Sequence, residues 1–453
     1  MGTKPIASLL ATMAIPMMLS MLVQALYNVV DSVFVARISE SQLELTAVSV
    51  AFPIQNLMIA FGTGIGVGFT ALISRSLGAR DPKTAGKAAA HGMMIEGLSY
   101  LLFLAVGLFF VRPFFESQTS NPLIVEYGCQ YLSVCCVFSF GLFSQFIFEK
   151  ALQSTGKTVY SMISQGVGAI VNIILDPIMI FGLFGMPEMG VTGAAAATVI
   201  GQMCGALVGA VLHFRRNREL RVELSSFRPE GAIFGRILLV GLPSTIMVAI
   251  GSLMNYCMNR ILFTVDRVGE TAATVFGVYF KLQSFAVMPV FGLNNGMVPI
   301  VAYNYGARNS ERITKTVKLS VLWAVIIMAV AIGVFQLVPD KLLAMFGAGE
   351  DMMEIGVTAL RIISLNFVFA GYCIVISSVF QALGNGLYSM AVSFIRQIVV
   401  LIPVAYLFAR MGNLDMIWFS FPIAECASVV VCTVLYIIIY RKKIRPLGQS
   451  DKE

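Results

Sequence analysis

The chain of 453 residues is 58% hydrophobic and only 12% charged, whereas an ordinary soluble domain carries about a quarter charged residues. Its net charge of +7 sits in basic residues between apolar stretches, where they face anionic lipid and set orientation, so no nucleic-acid module is implied. The eight cysteines, Cys129, Cys135, Cys136, Cys204, Cys257, Cys373, Cys426 and Cys432, lack metal-ligand spacing or a histidine cluster and read as small core residues.

Twelve apolar segments follow in chain order, near residues 9–35, 47–73, 92–111, 123–149, 159–184, 190–212, 233–259, 271–298, 316–339, 355–383, 388–410 and 415–440. At a rise of about 1.5 Å per residue each spans most or all of a hydrocarbon layer about 30 Å thick. Backbone groups in lipid bond within their own segment, so helices are expected, and the strand alternation of a porin-like barrel is missing. Leu9 to Val35 is too long for a signal-peptide core and lacks a clear cleavage site, so it is expected to remain as the first helix.

Between the second and third segments lie Arg75, Arg80, Lys83 and Lys87; between the sixth and seventh, Arg215, Arg216, Arg218, Arg221 and Arg228; between the eighth and ninth, Arg308, Arg312, Lys315 and Lys318. All three loops fall on one side, joined by Arg441, Lys442, Lys443 and Arg445, while the other side shows isolated charges such as Arg37, Arg112 and Lys341. The excess of positive charge predicts a multi-pass protein of the cytoplasmic (inner) cell membrane with both termini cytoplasmic.

A shift of 228 residues superimposes Gly78-Ala79-Arg80 on Gly306-Ala307-Arg308 and Tyr160-Ser161-Met162 on Tyr388-Ser389-Met390. The same register pairs Gln153 and Gly156 with Gln381 and Gly384, Phe52 and Gln55 with Phe280 and Gln283, and Gly64 and Gly68 with Gly292 and Gly296. The chain therefore reads as an all-α integral membrane protein of twelve helices in two parallel-repeat lobes, 1–212 and 233–440, joined by a basic linker 213–232 and followed by a tail 441–453. Twin lobes enclosing a central cavity are suited to alternating access, and the polar residues within the segments disfavour a non-transporting scaffold.

The first segment sets Gln24, Tyr27, Asn28 and Asp31 on one stripe of a helix. A carboxylate near the bilayer centre costs about 3 kcal/mol on insertion scales and usually turns inward to a function; nearer the interface it is merely hydrated. The fifth segment places Asn172 and Asp176 one turn apart on one face, and Pro177 frees the carbonyl of residue 173, which suits an ion. The sixth adds Thr198 and Gln202, four apart; for Thr198 alone, helix-to-helix hydrogen bonding is an equal account. If Asp31 and Asp176 face each other, desolvation and mutual repulsion favour neutralisation, by a proton or by a sodium ion held on the oxygens of the pair, Asn172 and Thr198.

In the second half, Lys281, Arg396 and Glu425 read as buried structural charges, with Glu425 paired to Arg396; Lys281 replaces Pro53 in the repeat register. Met254, Met258, Phe276 and Met288 are candidates for an adaptable substrate surface, although packing or lipid contact accounts for most such residues. No nucleotide-binding loop, nucleophile-base constellation or metal cluster stands out. That argues against an enzyme or an ATP-driven pump and leaves ion-gradient coupling.

Ile15-Pro16 through Ala25-Leu-Tyr-Asn-Val-Val-Asp31-Ser-Val-Phe-Val-Ala-Arg37, then Ser74-Arg75-Ser76-Leu77-Gly78-Ala79, Leu152-Gln153-Ser154-Thr155-Gly156, Asn172 to Pro177 and Gly193-Ala-Ala-Ala-Ala-Thr198 together resemble the multidrug and toxic compound extrusion (MATE) family. The resemblance covers essentially the whole chain. It implies a V-shaped pair of six-helix lobes exporting cationic or amphipathic compounds in exchange for H+ or Na+, without a cofactor. Drug-like molecules and lipid would be its partners, with no obligate protein partner and a functional monomer. By position, Asp31, Asn172, Asp176 and Thr198 are similar to the family's amino-terminal ion site, with Gln24 and Tyr27 beside its cavity. The acidic cluster that one branch carries in helices 7 and 10 is missing, so the chain looks more similar to the branch of DNA-damage-inducible and staphylococcal multidrug exporters; Ala36 replaces the usual Gly. A flippase for lipid-linked oligosaccharides, of the same superfamily, is the alternative, but it would need a strongly basic cavity for which the central segments hold too few cations.

Overall fold

The structure, a computed structural model, describes residues 1–38, 43–220, 228–265, 268–346 and 349–448, with only the backbone of Asn28 and Ala36. Arg221 of the expected linker and residues 449–453 of the expected tail lie outside the described residues. Among the described residues fifteen α-helices follow one another: α1 Ile6–Ala36, α2 Leu43–Gly78, α3 Pro82–Gln118, α4 Pro122–Val137, α5 Phe140–Ser154, α6 Thr158–Phe181, α7 Gly190–Arg216, α8 Gly231–Leu262, α9 Gly269–Gly306, α10 Ser310–Leu337, the short α11 Pro339–Ala344, α12 Glu350–Ser364, α13 Phe367–Ala382, α14 Gly386–Arg410 and α15 Leu414–Gly448. No β-strand occurs among the described residues. Among the described residues ten helices are long and apolar enough to cross a membrane, and the bent pairs α4–α5 (43°) and α12–α13 (48°) raise the candidate crossings to as many as twelve. The fourth and tenth expected segments are thus each broken in the middle, at Phe138-Ser139 and Leu365-Asn366.

Local structure repeats in the 228-residue register. Asp81 caps α3 by accepting from the Thr84 amide at 3.0 Å, and Asn309 caps α10 by accepting from the Arg312 amide at 3.0 Å. The residues before these caps, Arg80 and Arg308, share a left-handed φ of 59° and 57°. Gly156 and Gly384 turn the chain after α5 and α13 at φ 83° and 78°, a conformation that costs glycine nothing.

The chain divides into two compact units, Leu19–Thr245 and Met1–Met18 with Ile246–Glu453. This differs from a division at the linker 213–232: α1 begins in the second unit and ends in the first, and α8 does the reverse. Each changes unit two residues beyond its proline, Pro16 or Pro243. The glycine pairs noted in the repeat explain how the exchanged ends are held. Within the first unit a Cβ on Gly64 would lie 2.8 Å from the Thr245 amide nitrogen. Within the second unit a Cβ on Gly292 would lie 2.5 Å from Met18 Cα, and one on Gly296 2.7 Å from Ala14 Cα. Only glycine permits backbones this close, the usual device for helix association in lipid.

Aromatic clusters fill each interior. Phe103 stacks on Phe143 at 5.9 Å and meets Phe61 edge-on at 5.5 Å in the first unit. Phe276 packs against Tyr279, Phe280, Trp418 and Phe421 in the second.

Candidate functional site

The candidate site lies wholly within the unit Leu19–Thr245. The α6 and α7 helices approach through glycine: a Cβ on Gly201 would sit 2.7 Å from the Gly168 carbonyl oxygen. That contact, with the small residues of Gly193 to Thr198, brings Thr198 against Asn172. The Asn172 amide donates to Asp176 Oδ1 and to Thr198 Oγ1, each at 3.3 Å. Pro177 lies inside α6 and has no amide hydrogen for the Ile173 carbonyl.

From α1, Asp31 stands close enough to Asp176 for each carboxyl group to feel the other. Asp31 Oδ1, Asp176 Oδ2 and Asn172 Oδ1 are each buried without a hydrogen-bond partner. Two carboxylates and an amide oxygen thus meet in the interior, and buried charge of one sign must be neutralised. A proton shared by the carboxyl groups does this, as does a small cation held by hard oxygen ligands. Among the described residues no group of three or more His, Cys, Asp or Glu forms a metal site. Tyr27 and Tyr131 stand close enough to feel the Asp31 charge, and Gln55 Nε2 donates to Tyr131 Oη at 3.0 Å.

Gln24, Tyr27, Asn172, Thr198 and Gln202 line a cavity of about 60 Å³ in this unit. By volume it has room for a few waters but falls well short of the several hundred Å³ that hold a drug-sized ligand. The side chain of Asn28 lies outside the described residues. Sequence reasoning missed Gln145, Glu149 and Gln165 on the cavity wall, and Gln55 and Tyr131 beside the acids. The available signal was the same that singled out Asp31, a polar residue inside an apolar segment.

The remaining sequence candidates lie in the other unit. Arg396 Nη1 and Glu425 Oε1 are 3.3 Å apart, with the Glu425 side chain 7% exposed. Lys281, expected to be buried, is exposed on α9; hydropathy marks a span but not which way one residue of it points. Met254, Met258 and Phe276 are buried, the last in the aromatic cluster, so packing rather than an open substrate surface accounts for them. Met288 is half-buried.

The MatE family model matches residues 16–178 and 243–407. Among similar proteins, the multidrug export protein MepA of Staphylococcus haemolyticus is 26% identical over 426 residues, covering 94% of this chain and 91% of its own. MepA of Staphylococcus aureus is 26% identical over 441 residues, covering 95% and 94%. Among solved structures, an outward-facing multidrug resistance MATE transporter of the MOP superfamily superimposes with a TM-score of 0.89 at 25% identity, over 98% of this chain and 97% of that one. A MOP superfamily transporter from Pyrococcus furiosus, described as having a binding pocket of reversed polarity, gives 0.91 at 25% identity, over 98% and 97%.

Proposed function

Because the chain belongs to the MatE family, we propose that it is a secondary active multidrug efflux antiporter that exports cationic or amphipathic organic compounds in exchange for H+ or Na+. It is a transporter rather than an enzyme. Asp31, Asn172, Asp176 and Thr198 form the ion-coupling site, and Gln24, Tyr27 and Gln202 line the cavity beside it. The observation that carries this reading is that Asp31 and Asp176, near enough to feel each other's charge, each keep a buried oxygen without a hydrogen-bond partner beside the amide of Asn172.

The chemistry follows from charge. With both acids ionised the site holds two negative charges in a nonpolar surround and draws a cation. Entry of the ion neutralises it and reshapes α1, which carries Asp31 and holds Pro16, where the helix lacks one backbone hydrogen bond. Loss of the site charge lowers the affinity for a cationic substrate, which leaves on the far side by alternating access. One charge crossing 100 mV releases about 2.3 kcal/mol, enough for a concentration ratio of roughly 50. The basic loops favour a cytoplasmic-membrane protein with both termini in the cytoplasm.

Ethidium uptake into inverted vesicles, under a proton or a sodium gradient imposed separately, tests the reading. One gradient should drive uptake in the wild type and fail in Asp31→Asn. Undiminished transport in that variant removes Asp31 from the mechanism.

A further inference from the structure

A second set of charges lies deep in the same unit, toward the helix ends where the basic loops collect. Glu149 and Lys150 on α5 are 2% and 5% exposed, and Glu96 on α3 is 0% exposed. Lys150 feels the charge of both carboxylates. Its ammonium donates to Gln153 Oε1 at 3.0 Å, and Gln153 Nε2 donates to Ser161 Oγ at 2.9 Å. Gln145 Nε2 donates to Glu149 Oε1 at 2.7 Å, while both oxygens of Glu96 are buried without a hydrogen-bond partner. Neighbours on the packed helices include Gly66 of α2 against the Lys150 stem, Thr70 of α2, which donates to the Lys150 carbonyl, and Gln165 of α6 and Gln202 of α7 on the cavity wall. The titratable ring of His213 on α7 lies tilted against Phe148, with centroids 5.9 Å apart.

Two carboxylates against one ammonium leave one negative charge over when all three ionise. An unbalanced charge in such a place is expensive, and a single proton removes it. Glu149, unlike Glu96, opens on the cavity that also reaches Asn172 and Thr198. A metal cation is disfavoured at Glu149 because an ammonium stands beside it.

The second copy of the repeat provides a control within the molecule. At the positions of Glu96, Glu149 and Lys150 the 228-residue shift puts Ala324, Ser377 and Ser378, and at those of Asp31 and Asp176 it puts Asn259 and Val404. The six-helix scaffold therefore needs neither set, and the copy that has one has the other.

We propose that Glu149 is a proton-binding station, joined through the water-sized cavity to the Asp31–Asp176 site, by which protons exchanged there reach the basic ends of the helices. This rests on the reading of that pair as the coupling site. A proton leaves the carboxylic acid of the pair, is relayed by water along Gln202, Gln165 and Gln145, and binds the Glu149 carboxylate. Glu149 then releases it toward the basic loops, and Lys150 and Glu96 keep the charge of the cluster near zero.

The full chain in phosphatidylethanolamine–phosphatidylglycerol vesicles with a trapped pH dye, given an ethidium gradient, tests this. Ethidium-coupled proton movement should fall about a hundredfold in Glu149→Gln, the lower end of what a positioned proton-transferring group contributes. Glu149→Asp keeps the acid at shorter reach and should restore movement with a shifted pH profile. Wild-type proton movement in Glu149→Gln, or an unshifted profile in Glu149→Asp, overturns the proposal, the second holding even if the Gln variant does not fold. Ethidium transport driven by sodium with no proton movement overturns it too. Asp31→Asn run in parallel separates the two claims: coupling kept there sinks the parent reading, whereas coupling lost there but intact in Glu149→Gln sinks this one alone.

Discussion

Replacing Gly292 by alanine should destabilise the chain, whereas the same change at Gly277 of the same helix should not. A Cβ at Gly292 would lie 2.5 Å from Met18 Cα, 2.6 Å from the Met18 amide nitrogen and 2.7 Å from the Met17 carbonyl oxygen. Carbon contacts settle near 3.5 to 4.0 Å, so the shortfall is about 1 Å. All three atoms are backbone, and no rotamer change relieves the clash. The first half of α1 must retreat from α9 and give up its packing, an overpacking cost of about 1 to 3 kcal/mol. At Gly277 nothing lies within 4 Å, and alanine gains up to about 1 kcal/mol from helix propensity. Unfolding in mixed micelles by titrated dodecyl sulfate should separate the two variants by roughly 2 to 3 kcal/mol. Equal midpoints, or a more stable Gly292→Ala, would refute the seating of α1 on this glycine face.

Two further outcomes concern the second unit. Phe276→Ala should cost about 3 to 5 kcal/mol in the same titration, because the ring is 1% exposed among four aromatic neighbours; a loss under about 1 kcal/mol would place it outside the core. Glu425→Gln should cost about 3 kcal/mol by stripping Arg396 of its partner, while the double change Arg396→Met with Glu425→Met should come out near neutral. A double variant as damaged as the single would show that the pair does more than balance charge.

Much of the fold was legible because the duplication preserved it. The turn at Gly78-Ala79-Arg80 recurs at Gly306-Ala307-Arg308 with the same left-handed arginine, and Gly64 and Gly68 recur as Gly292 and Gly296 with the same kind of backbone neighbour. The crossings emerged from length and hydropathy alone, since lipid demands helices of that size. The breaks at Phe138-Ser139 and Leu365-Asn366 carry no proline or glycine, so nothing local announced them. The exchange of the first halves of α1 and α8 between units is a matter of packing, which hydropathy does not encode. At the site, Asp31, Asn172, Asp176 and Thr198 stood out because acids and amides are rare in apolar segments. Glu149 and Lys150 escaped notice because they fell at the margin of an expected span. Met254, Met258 and Phe276 are buried, which the sequence did not announce because methionine and phenylalanine fill cores and cavities alike.

The most direct test is a double-mutant cycle on ion-driven ethidium transport, with Asp31→Asn, Asp176→Asn and both together in vesicles under the gradient that drives the wild type. Residues that bind one ion as a unit lose their function together, so each single change should abolish coupling and the double should cost no more. Losses that multiply, or a single variant that still couples, would mean that the two carboxyl groups do not form one ion site.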